Sequence, residues 1–142
     1  MLNFLRKAFF YGYVWMFICV GASGIFIAAW ELPHIFNMPM SSLTPDVRAT
    51  MLTQYRFLKS AELSYGLFSF FFRNAIFAGG SVRKLFVIAV FLGVSARVLS
   101  VFMDGMPAWE FLAFAALECV TGILIMTAPV TASKGELVPP SW

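Results

Sequence analysis

Charge is what this chain has least of. Only 12% of its 142 residues are charged, against 61% hydrophobic. A soluble domain carries roughly 25% charged and 45–50% apolar residues, so a water-solvated globule is excluded. Histidine is nearly missing as well, with His34 the single one. Haem and copper sites need a further His, Cys or Met in register. Met38, Met40, Met103 and Met106 fall on the same side as His34 without forming such a spacing, and His34 reads as a solvated loop residue. The two cysteines, Cys19 and Cys119, sit inside hydrophobic segments and form no CxxC. That leaves zinc and thioredoxin-like chemistry without support and reads as two thiols acting as small apolar fillers. GxSxG, Walker and HExxH patterns are all missing. No catalytic residue, cofactor or metal is therefore expected. The net charge of +3 comes from scattered basic residues, so a nucleic-acid partner is not expected either.

What is present is hydrophobic length. Four apolar runs, at about 9–30, 51–72, 85–102 and 109–127, each approach the ~20 residues that cross ~30 Å of hydrocarbon. None alternates polar with apolar as a barrel strand would. The reading is all-α: an integral membrane four-helix bundle spanning 1–127, followed by a tail at 128–142 without regular structure. The run at 9–30 is too long for the apolar stretch of a signal peptide and reads as a retained signal anchor. Between the runs, 31–50 is the longest connector, where Ser42, Thr44 or Asp46 is placed to cap the next helix. Residues 73–84 hold a Gly79-Gly80-Ser81 turn with basic flanks, and 103–108 form a Gly and Pro turn. Arg6, Lys7, Arg73, Arg83, Lys84 and Lys134 all fall on one side of the runs. The positive-inside rule then places both termini and the tail in the cytoplasm.

The few charges inside the runs are the informative ones. Glu62 and Glu118 lie about 16 and 15 Å below the starts of their segments at ~1.5 Å per residue, near the middle of the bilayer. Each precedes a glycine by four residues, Gly66 and Gly122. With the acid-to-proline turns Glu31-Leu-Pro33 and Asp104-Gly-Met-Pro107, this suggests two parallel-repeat helical hairpins. Helical spacing collects Tyr55, Lys59, Glu62, Gly66 and Ser69 into one stripe. Gly93, Arg97, Ser100 and Asp104 form a second, and Ala115, Glu118 and Gly122 a third. The first run offers Gly21, Gly24 and Ala28 for close packing. A central charge costs ~2.5–3.5 kcal/mol on insertion scales while an apolar residue returns only ~0.3–0.6, so these stripes should face inward with their charges paired. Lys59 can reach Glu62 on its own helix, Arg97 can fork onto Glu118 or Asp104, and Arg56 can snorkel outward. Tyr55, Arg56, Lys59, Glu62, Arg97, Ser100, Asp104 and Glu118 are the candidate ligand- or proton-binding residues.

The stretch Ser95-Ala-Arg97-Val-Leu-Ser100-Val-Phe-Met-Asp104-Gly105-Met-Pro107, with Glu118 in the following segment, resembles a bacterial four-helix membrane family catalogued as domain of unknown function 4345. The Arg56-to-Gly66 stretch is similar to that family's second span. The likeness covers most of 50–127 and implies a small four-span protein, but no activity or catalytic residues. A weaker likeness is to DoxX-type membrane proteins. The expected function is non-enzymatic: an accessory or small-ligand- or lipid-binding membrane protein, with membrane lipids, other membrane subunits or a small hydrophobic ligand as partners. The alternatives are a proton-coupled small transporter using Glu62 and Glu118, and a structural subunit of a larger membrane complex. The rival to all three is a charge cluster that only fixes helix register.

Overall fold

A computed structural model describes residues 1–130. It is all-helical there: α1 Leu2–His34, α2 Pro45–Phe71, α3 Arg73–Ala78, α4 Gly80–Asp104 and α5 Trp109–Met126. Lys134 and most of the expected tail lie outside the described residues. Three helices, α1, α4 and α5, are long and apolar enough to cross a membrane. With 27 residues, α2 reaches about 40 Å at ~1.5 Å per residue. Its length suffices, but Arg56, Lys59 and Glu62 crowd charge into two of its turns, and it falls short on apolarity.

Several boundaries differ from the sequence reading, each for a local reason. Helix α1 runs through Pro33. A proline in the last turn removes only one hydrogen bond near a helix end, and the Ile35 N–H still donates to the Glu31 carbonyl at 2.9 Å. His34 is therefore helical rather than a loop residue. It stacks on Trp30 with ring centroids 4.9 Å apart, and its Nδ1 lies 2.7 Å from the Trp30 carbonyl. The long connector shrinks accordingly and contains one short 3₁₀ turn, Met40–Ser42. Helix α2 begins at Pro45, ahead of the apolar run and within the capping region read from the sequence, because Pro45 is pre-set for the first helical position. Thr44 takes the cap position without making a side-chain cap bond. The stretch after Phe72 is a six-residue helix, not only a turn. It breaks at Gly79 and Gly80, whose φ of 108° and 75° favour glycine.

The helices pair as two antiparallel hairpins, α1 with α2 and α4 with α5, and α1 also packs on α5. Backbone contact is closest where small residues meet. A Cβ on Gly21 would lie 2.6 Å from the Leu63 amide nitrogen, so only glycine lets α1 and α2 approach this far. Gly66 seats against Ile18 and Phe17 of α1, and Gly122 against Val90 and Phe91 of α4. Both return helices thus use their glycine against the first helix of their own hairpin, the correspondence that the Glu-x-x-x-Gly spacing suggested.

The two ends of the bundle are unlike. At the end holding the starts of α1 and α4, here the basic end, Phe10, Tyr13, Val14, Ile76, Phe86, Val90 and Ile125 form a buried core. Tyr65 stacks on Phe86 at 6.0 Å and closes that core from α2. At the opposite end, where the connectors 35–44 and 105–108 lie, the hairpins separate and leave a cleft.

Candidate functional site

Lys59 and Arg97 face one another across the hairpins, and each is held by a carboxylate. Lys59 Nζ donates to Glu62 Oε2 at 2.9 Å, one turn further along α2. Its aliphatic stem crosses Gly24 so closely that a Cβ there would lie 2.6 Å from Lys59 Cγ and Cδ. Its ammonium stands 5.1 Å from the centroid of the Tyr55 ring, close enough for a cation–π attraction. Small residues on α1 therefore make the groove in which a charged side chain from α2 lies. Arg97 donates from Nε to Glu118 Oε2 at 3.1 Å and from Nη2 to Oε1 at 3.3 Å. This is the forked geometry that matches guanidinium to carboxylate. Glu118 is 3% exposed, while the Arg97 side chain keeps 31% of its surface. The pair is therefore directional, with the carboxylate behind and the guanidinium in front.

In front of Arg97 is a cleft of about 390 Å³, whose polar wall comprises Tyr55, Lys59, Glu62, Arg97 and Ser100. Met16, Phe17, Leu58 and Phe114 supply much of the apolar wall. Phe36, from the connector after α1, packs on Phe111 at 4.8 Å and on Tyr55 at 6.2 Å between ring centroids, bridging α2 and α5 at the edge of the cleft. A smaller cleft of about 280 Å³ shares Arg97, Ser100 and Phe111 and lies between α4 and α5. Arg97 and Ser100 are thus reached from two apolar spaces.

Of the eight candidates, Tyr55, Lys59, Glu62, Arg97 and Ser100 line the cleft, and Glu118 orients one of them. Arg56 and Asp104 are not brought in. Arg56 is exposed and donates from Nε to the Ile25 carbonyl at 3.2 Å, fastening α2 to α1 instead of snorkelling freely. Asp104 accepts from Ser100 Oγ at 2.7 Å; it lies on the same helix as Arg97, two turns on, and Glu118 takes the guanidinium instead. The sequence reading missed Glu31, which it placed in a turn. Glu31 is 5% exposed and adjoins the Tyr55 phenol, yet its Oε2 and the Tyr55 hydroxyl have no hydrogen-bond partner among the described residues. A signal existed: Gly21, Gly24, Ala28 and Glu31 form one helical stripe, and all four are buried. No group of three or more His, Cys, Asp or Glu placed to hold a metal occurs among the described residues.

Among the described residues the chain is all-helical with three helices able to cross a membrane, and its mid-bundle charges Lys59, Glu62, Arg97 and Glu118 are paired; by class it is a membrane protein. Residues 6–128 match the model of a family described as Domain of unknown function (DUF4345), and the chain belongs to that family. No curated protein and no solved structure matches the chain.

Proposed function

We propose that this protein is a non-enzymatic membrane protein that binds a small amphipathic ligand in the cleft between its hairpins. The carrying observation is the cleft itself: about 390 Å³, within the roughly 300–1,000 Å³ of small-molecule sites. It is apolar over most of its wall, with a few convergent polar groups. Arg97 is buttressed by Glu118 and offers a rigid cationic edge, Ser100 adds a hydroxyl, and Lys59 with Glu62 forms the opposite wall. That set suits a ligand with an anionic or strongly polar head and a hydrocarbon body. In this reading α2 is a fourth span: Lys59 and Glu62 are tolerated because they face Gly24 and the cleft rather than lipid, and exposed Arg56 is tied to the Ile25 carbonyl. The membrane is the bacterial inner membrane, with the basic end in the cytoplasm. A proton-coupled carrier would need a path through the basic end, which the aromatic core around Tyr13 and Phe86 fills.

The test is a titration of the detergent-solubilised full chain with a fluorescent fatty acid, which has a carboxylate head and an apolar tail. Saturable binding that weakens about tenfold in Arg97→Lys is expected, since lysine keeps the charge but loses the fork. Non-saturable partitioning, identical in both proteins, would count against the cleft as a binding site.

A further inference from the structure

The basic end carries a charge imbalance that the cleft chemistry leaves unused. Arg6 and Arg83 are each only 7% exposed, are near enough to repel one another, and have no carboxylate partner among the described residues. Apart from Arg6 Nη1, which donates to Asn3 Oδ1, their bonded donors go to backbone carbonyls instead. Arg6 bonds Leu124 and Thr127 at 3.2 and 2.8 Å. Arg83 bonds Ile76 and Ala128 at 2.9 and 2.7 Å. A helix C-terminus offers only about half a negative charge, so the ends of α3 and α5 offset about half of two guanidinium charges. Lys7, Arg73 and Lys84 add to the excess. Every acid among the described residues, from Glu31 to Glu118, lies at mid-bundle or toward the loop end.

Beside Arg6 is a cleft of about 260 Å³ lined by Asn3, Arg6, Lys7, Phe77, Ala128 and Pro129. Arg6 Nη1 is held toward Asn3 Oδ1 at 3.0 Å, and Lys7 is exposed. We propose that this cleft binds the phosphodiester headgroup of an anionic membrane lipid. Lys7 and Arg6 would donate to its phosphate oxygens, and Phe77 and Pro129 would pack on the glycerol. A lipid is favoured over free phosphate because exposed Leu2, Phe4, Leu5 and Val130 surround this end and give acyl chains a surface to cover. The reading also accounts for a buried arginine pair without an acid among the described residues: an anionic headgroup from the bilayer would supply counter-charge.

The experiment is native mass spectrometry of the detergent-solubilised full chain, titrated with phosphatidylglycerol and, separately, phosphatidylcholine. Preferential retention of phosphatidylglycerol is expected, with about a fivefold loss in Lys7→Gln and recovery in Lys7→Arg. Arg48→Gln removes one charge at the opposite end and should leave retention unchanged. Lys7 is exposed, so its variants should stay folded, and a thermal melt checks this. Equal retention of both lipids, or equal losses in Lys7→Gln and Arg48→Gln, would overturn the proposal. Displacement of phosphatidylglycerol by millimolar inorganic phosphate would reassign the site to the free ion and overturn the lipid assignment.

Discussion

At the scale of single residues, glycine and charge are coupled in this protein. Gly21 sets how near α2 comes to α1, and Gly24 leaves the groove that Lys59 fills. Gly21→Ala should destabilise by about 1–3 kcal/mol, the usual range for overpacking, because the obstructing atoms belong to the Leu63 backbone and cannot rotate away. Gly12→Ala, with nothing within 4 Å of the new methyl, should cost nothing; thermal unfolding in detergent compares the two. The Arg97–Glu118 pair makes a sharper test. Glu118→Gln leaves Arg97 without its anion and should cost about 3 kcal/mol, the lower end for breaking a buried pair, since Arg97 is partly solvated. Arg97→Met combined with Glu118→Leu should recover most of that loss. A double variant as unstable as the single would mean that the pair does more than balance charge. Spacing alone singled out Lys59 with Glu62 and left Arg97 a choice between Glu118 and Asp104, because inward charges in lipid must find partners and few were within reach; the fold decides for Glu118. Glu31 was not, because an acid beside a proline carries the signature of a turn. Only the stripe it shares with Gly21, Gly24 and Ala28 separates the two readings.

Among the helices, α2 is the one whose place in a bilayer depends on its neighbours. Helices α1, α4 and α5 are long and apolar enough to cross a membrane. Helix α2 buries Lys59 against Gly24 of α1 and lines the cleft with Glu62, so in the proposed four-span arrangement much of its stability would come from the assembled bundle. In a membrane-insertion assay, α2 alone should insert poorly, and Lys59→Leu with Glu62→Leu should raise its insertion well above half. The same double change in the full chain should leave folding nearly intact, since replacing a paired set by apolar residues is often neutral, while abolishing fatty-acid binding. Retained binding would show that the α2 wall of the cleft is dispensable. The sequence carried the hydrophobic centres of α1, α4 and α5, and it made α2 look more apolar than its charged turns allow. It carried the end of α1 less well, because Pro33 permits helix at a position where proline usually signals a stop. Helix α3 escaped notice because its six residues are too few to show a period.

For the whole molecule, the two ends differ in packing and in charge, and the two differences point to one orientation. The basic end is closed by aromatic packing and gathers Arg6, Lys7, Arg73, Arg83 and Lys84; the loop end is open and carries Glu31, Asp46, Asp104 and Glu110 in its helix ends. In the proposed orientation, which rests on the positive-inside rule, the cleft would face the periplasm and the proposed lipid site the cytoplasmic leaflet. Single cysteines read this directly once Cys19 and Cys119 are replaced by serine, a step needed because Cys19 is exposed. Ser41→Cys lies in the exposed connector after α1, and Ser81→Cys in the exposed first turn of α4. A membrane-impermeant maleimide added to intact cells should label the first and spare the second, and both should react once the membrane is permeabilised. Labelling of Ser81→Cys in intact cells would invert the protein. If both sites react from outside, α2 does not span and the four-span reading fails. The outcome bears on the ligand as well, because a cleft that opens to the periplasm meets a different pool of amphipaths from one that opens to the cytoplasm.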